Sequence, residues 1–148
     1  MTPKGALPGT FTDTLTLSGS AGVYLAMTVD EFNYATGAMY AIDSSGMNAQ
    51  AAATSMSLAS ALRVSDIDLI YAAGSSEASG IVSPGSGFTM AYNAQMISCQ
   101  TYGIASEYLF PETSNLNPSM SCSAAVLTNF NGMAFNAIAP YGSILLGS

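Results

Sequence analysis

Histidine and tryptophan are both absent, so any chemistry must fall to nine acidic residues, two cysteines, two basic residues and eight tyrosines. Without histidine the chain lacks the commonest general base near neutral pH and the commonest metal ligand. Asp66 and Asp68 stand two apart, and on a strand they face the same side. With Asp43 or Glu77 they would form a set of oxygen donors of the kind Ca²⁺ takes. Their spacing matches no calcium loop. They read first as surface charge at a strand entrance, with Ca²⁺ the alternative. No metal or cofactor is expected.

Glycoside hydrolysis needs two carboxyl groups flanking one bond. Asp30, Glu31 and Glu107 are the residues to consider. Asp30 and Glu31 are adjacent, and neighbours on a strand point to opposite faces, so they would not act together. The expectation is a protein that is not an enzyme. Cys99 and Cys122 are the only cysteines. They either pair across neighbouring strands in an oxidising compartment or remain two buried thiols. Two cysteines without histidine do not complete a structural zinc site. Exposed tyrosines could stack on sugars or fill an interface. Tyr24, opposite Val23, Leu25 and Met27, is the best candidate. Most other tyrosines read as core, and the nine methionines as core filling, with interface contact second.

The elements that would position these residues read as strands. Thr10–Leu17 puts Phe11, Leu15 and Leu17 on one face, and Val23–Val29 alternates again. Phe32–Ile42 is a third strand, closed by a turn at Asp43-Ser44-Ser45-Gly46. Asn48–Leu62 suits helix or strand, and strand from about Thr54 to Leu62 is preferred. Ile67, Leu69 and Tyr71 mark a strand ending at Gly74-Ser75-Ser76. Ser83–Gly87 is a loop, followed by a strand through Phe88, Met90 and Tyr92. Ile97–Phe110 is one long or bent strand with Gly103 as its weak point. After a polar loop over 111–118, Ser121–Thr128 and Met133–Ala139 form a hairpin around Asn129-Phe130-Asn131-Gly132, a favoured tight-turn pair. The tally is eight or nine short strands, which predicts an all-β antiparallel sandwich or barrel.

A chain of 148 residues fits one domain. Residues 1–9, with two prolines and two glycines, read as an extended arm, and 10–148 as a single β-sandwich domain. Only 7% of residues are charged, against about 25% in ordinary domains. The net charge is −7 with two cations, Lys4 and Arg63. Two cations do not neutralise a row of phosphates, so nucleic acid is not an expected partner. A polybasic membrane patch is excluded in the same way, and no stretch reaches the roughly 20 apolar residues of a spanning helix. No apolar run of the signal-peptide kind follows Met1. The one Asn-x-Ser/Thr match, at Asn117, is blocked by Pro118. Interface cores are depleted in charge, so the composition favours an assembled protein. Lys4, Leu7 and Pro8 of the arm, Tyr24, and Leu145 and Leu146 of the apolar tail are the candidate interface residues.

The second half has a further pattern. Ser83-Pro84-Gly85-Ser86-Gly87-Phe88-Thr89 leads into a strand. Tyr102-Gly103-Ile104-Ala105-Ser106-Glu107-Tyr108, Ser123-Ala124-Ala125-Val126 and Met133-Ala134-Phe135-Asn136-Ala137-Ile138 follow. This order resembles the jelly-roll-like accessory β-sandwich domains of phage virion proteins, including capsid decoration proteins, and of bacterial surface proteins. The resemblance runs from about Leu15 to Pro140, with Met133 and Phe135 where that family often has Trp. It implies a non-catalytic capsid decoration or cement protein, located in the virion. Such a protein would assemble with its own copies, as a trimer, and with a major capsid protein. The alternative it leaves is an extracellular carbohydrate-binding or fibre-forming surface module.

Overall fold

Short apolar residues alternating with Ser, Thr and Asn give no 3.6-residue stripe and therefore no helix to bury. The structure, a computed structural model, describes residues 30, 32, 39–77, 80–96 and 102–138. Among them the protein is all-β. Its strands are β1 (Met39–Ser57), β2 (Asp68–Glu77), β3 (Ile81–Ser83), β4 (Thr89–Met96), β5 (Tyr102–Glu112) and β6 (Ser119–Ile138). They form one sheet in the order β1-β6-β2-β5-β4, and β3 adds to β6. Every pairing is antiparallel. The two N-terminal strands expected over 10–29, the arm and the apolar tail lie outside the described residues.

β6 is the organiser, and it departs from expectation. Asn129–Gly132 is not a hairpin turn; it lies in the middle of one 20-residue strand. Phe130 pairs with Asn48 on one side and Gly74 on the other. Two ladders satisfy the backbone there, and Phe130 is buried, a gain of about 2–3 kcal/mol. That outweighs a local Asn-Gly turn preference. Gly132 serves close approach instead. A Cβ there would lie 3.0 Å from Leu58 Cδ1 and 3.3 Å from Pro118 Cγ.

β1 also differs from its reading. Asp43-Ser44-Ser45-Gly46 is not a turn. The register against β6 shifts between Ile42 and Ser44, leaving Asp43 as an extra residue in the ladder. Short polar residues have gone into a bulge. β1 bends again near Ala52, whose φ is +52°. It ends at Ser57, so the strand expected over Thr54–Leu62 is displaced toward the N-terminus. Leu58 and Leu62 leave the ladder and pack into the core. Their backbone is held by the loop before β6. Asn117 Nδ2 donates to Leu58 O and its Oδ1 accepts from Leu58 N, both at 3.0 Å. Leu62 N donates to Leu116 O at 2.9 Å.

β2 runs on through Gly74-Ser75-Ser76 to Glu77. Asp68, Ile70, Ala72, Gly74 and Ser76 are buried on the face opposite Tyr71, and Leu69 is buried on the other. Ile67, expected in this strand, precedes it and is exposed. β4 is a strand as expected, after a Ser86–Gly87 turn with Gly87 at φ +84°. The Met90–Tyr92 alternation is broken: the register shifts between them, so Met90 pairs with Glu107 and Tyr92 with Ser106, on opposite faces. Gly103 lies within β5 and is paired with Ser76 and Gln95.

The core covers one face of the sheet, with Met56, Leu58, Leu62, Ile70 and Phe130 at its centre. The other face is covered over β2 and β5 by Asp30 and Phe32. Three consecutive residues of β5, Ala105, Ser106 and Glu107, are fully buried, as a strand covered on both sides must be.

Candidate functional site

On the second face of the sheet, register places Tyr71 of β2 beside Tyr108 of β5. Phe32 packs edge-on against both, with ring centroids at 5.7 and 5.2 Å. Asp30 Oδ2 accepts from Tyr71 Oη at 2.6 Å and from Ser106 Oγ at 2.7 Å. Ser106 is wholly buried, so these bonds fasten the Asp30–Phe32 segment to the sheet. A hydroxyl closed to solvent offers no nucleophile to a substrate.

Glu107, the next residue, points to the opposite face and enters the core. The sheet therefore separates it from Asp30, and the two do not form a carboxyl pair. Glu107 is 0% exposed. Its Oε2 accepts from Gly85 N at 2.7 Å, and Oε1 has no partner at hydrogen-bond geometry. Burial pushes its pKa up to about 7, against the Gly85 amide and the more distant Ser119 amide, which favour the charged form. Gly85 is required here. A Cβ would meet Ser119 O at 2.6 Å, so a larger residue would lift the loop off β6 and the Glu107 carboxyl.

At the end of the sheet, the Asp43 bulge of β1 and the first residue of β2, Asp68, stand on either side of β6. Asp68 is not surface charge. It is 0% exposed, and neither of its carboxylate oxygens has a donor at hydrogen-bond geometry, while its carboxyl lies against that of Asp43 closely enough to share a proton with it. Asp43 Oδ2 is also buried without a partner. Asp43 Oδ1 pairs with Arg63 Nη2 at 3.1 Å, an ion pair open to solvent on the arginine side. Burial first, then the Asp43 and Asp66 charges and a side-chain hydrogen bond with Asp43, raise the pKa of Asp68. Asp66 precedes β2 and is exposed. The two aspartates expected to share a face therefore differ: Asp68 is buried and Asp66 faces solvent.

A third feature is apolar. Face-two positions of β1 and β6 carry Ile42, Met47, Leu127 and Met133, all exposed, with Met47 at 74% and Ile42 at 61%. Ile42 pairs with Phe135, and Met133 with both Ser45 and Tyr71, which sets the strip beside the region covered by Phe32. Asp43 is the only charged residue in all of β1 and β6.

Of the residues singled out from sequence, Cys122 is buried as a thiol in the core. Burial raises its pKa, partly offset by a hydrogen bond with Ser76, which makes it unreactive near neutral pH. Lys4, Leu7, Pro8, Tyr24, Cys99, Leu145 and Leu146 lie outside the described residues. Pattern reading named Asp43 and Glu107 but not their burial, and it missed the Ile42–Met47 strip. The signal for Glu107 was one acid inside the otherwise uncharged stretch Ile104–Phe110. No helix among the described residues is long and apolar enough to cross a membrane. No family model, curated protein or solved structure matches the chain. What the geometry defines is an all-β antiparallel-sheet protein with a half-covered second face.

Proposed function

We propose that the protein is a non-catalytic structural module, a virion accessory protein that coats and stabilises a phage shell as an oligomer. The observation that carries this reading is the exposed strip Ile42, Met47, Leu127 and Met133 on two long strands holding a single charge. A flat, uncharged, apolar sheet face suits contact with other copies or with a protein lattice, because charge is depleted at interface cores and methionine adapts to irregular partners. The proposed architecture is a jelly-roll-like sandwich of eight or nine strands. Asp30 and Phe32 already dock on this second face, over β2 and β5. The β1–β6 half of the same face is left for the partner. In this reading the copies associate as trimers, and the major capsid protein is the lattice.

Immunogold labelling of particles from the source culture, with antibody to this chain, tests the reading. Regular labelling of intact shells is expected. Labelling confined to cell surfaces would replace it with an extracellular carbohydrate-binding or fibre module. That second reading draws on Tyr92, which is 45% exposed on edge strand β4. Tyrosine there offers a stacking face for a sugar ring.

A further inference from the structure

Asp43 and Asp68 meet at one end of the sheet with no described donor between them. Both oxygens of Asp68 and Oδ2 of Asp43 are buried, and none accepts from a described N–H or O–H. The two carboxyls nevertheless lie in hydrogen-bond contact with each other. An ionised carboxylate only accepts, whereas a protonated one also donates through its O–H. That contact therefore needs a proton. The charge balance asks for one as well. Two carboxylates carry two negative charges, and Arg63, on Oδ1 of Asp43, supplies one positive charge. One proton cancels the remainder, and an uncancelled charge in a low-dielectric site is expensive. We propose that Asp43 and Asp68 share one proton, forming a clasp between the β1 bulge and the head of β2 that opens when the proton leaves.

β6 runs between the two aspartates and carries no charge from Ser119 to Ile138. Its Asn136 pairs with Asp68, but the Asn136 carboxamide donates to Ser65 Oγ at 3.0 Å. On β5, Glu112 stands opposite Asp68, yet its carboxylate accepts from the Thr113 and Ser114 amides and the Ser114 hydroxyl. In the segment before β2, Asp66 is exposed and adds negative charge. On β1, Asp43 is the only charged residue. Among the described residues, then, only Arg63 faces the pair with positive charge, and the second negative charge goes unbalanced once the proton leaves. β2 is held on both sides by β5 and β6, whereas β1 has β6 as its one neighbour among the described strands. Repulsion between two ionised carboxylates is therefore relieved by movement of β1 from Met39 to the bulge. Burial first, then the Asp43 and Asp66 charges, hold the Asp68 pKa above its ordinary value of 3.8. The folded chain keeps the proton at pH values where the unfolded chain has lost it. The clasp's contribution is complete below the ordinary value and is lost as pH rises through the folded one.

The test is amide hydrogen exchange on the full chain, in a Glu107→Gln background that removes the other raised carboxyl. Protection of residues 40–44 is expected to fall by about tenfold or more between about pH 5 and about pH 8, relative to residues 129–132 in the middle of β6. Asp68→Asn replaces the shared proton with a permanent carboxamide donor to Asp43. It should keep residues 40–44 protected at both pH values. Asp43→Asn offers the same donor from the other side and should behave alike, so the test survives if one variant does not fold. Side-chain carboxyl NMR of the chain carrying isotope-labelled aspartate is expected to show the pair titrating in two coupled steps, one of them above the ordinary aspartate range. Protection that does not change with pH, or that falls equally in the parent and in both Asn variants, overturns the proposal. So do independent titrations of Asp43 and Asp68 at ordinary values.

Discussion

Glu107 carries a proton into the core and must lose it near neutrality. Its folded pKa of about 7 lies above its ordinary value of 4.5. Between those values the folded chain binds more protons than the unfolded chain, so stability from this group falls as pH rises. It is full below about pH 4.5 and gone above about pH 7. The loss over that window is on the order of 3 kcal/mol. Denaturant unfolding of Glu107→Gln, which keeps an acceptor for the Gly85 amide, should show that slope removed and the variant more stable than wild type at pH 8. Equal slopes in both proteins would contradict this. Ala52 supplies a second prediction. At φ +52° it occupies a region that suits glycine. Ala52→Gly should therefore raise stability by about 0.5–1 kcal/mol, read from the denaturation midpoint. Neither residue declared its role in the sequence. A lone acid in an apolar stretch has two faces to choose from until the register is known. An alanine gives no sign that its strand bends.

Among the elements, β6 is where the local signal and the outcome differ most. Asn131-Gly132 carries a strong turn preference, yet both neighbours of β6 offer it a ladder over that stretch. Hydrogen exchange distinguishes the two directly. Backbone amides of Asn129–Gly132 should be protected as well as those of Ala134, whereas a hairpin turn would exchange within seconds. Gly132→Ala should cost about 1–2 kcal/mol, because its Cβ presses on Leu58 and Pro118. A neutral result would mean the loops sit further from the sheet. Across the other face, Tyr71→Phe removes the donor to Asp30 and should cost about 1–2 kcal/mol, measured by thermal unfolding. The loop over 84–87 and the existence of strand β4 were legible because glycine and proline punctuation there met no competing pairing, although Ser83 joins β3 and the register shift between Met90 and Tyr92 was not foreseen. β1 was not, because its polar turn residues were absorbed as a bulge once β6 supplied a partner strand. The strand preference of the Ser- and Thr-rich segments was legible outside the ambiguous Asn48–Leu62 stretch, and the all-β class follows from it. The pairing order was not, since it depends on contacts far apart in the chain.

For the whole molecule, the scarcity of charge was visible at once, but its location was not. Only the sheet order shows that β1 and β6 run side by side with one carboxylate between them, and that the region beyond Phe32 is exposed and apolar. A solvent-facing strip of this kind is a contact surface or an aggregation hazard. We expect the former, because Ser45 and Asn131 interrupt the strip and keep it from being uniformly greasy. Light scattering coupled to size exclusion, on the full chain and on a Met47→Glu, Met133→Glu double variant at about 50 μM, tests this most directly. The wild-type mass should correspond to a trimer and the variant mass to a monomer, with both retaining the same β-sheet circular dichroism. A wild-type chain that elutes as a folded monomer, indistinguishable from the variant, would contradict the account.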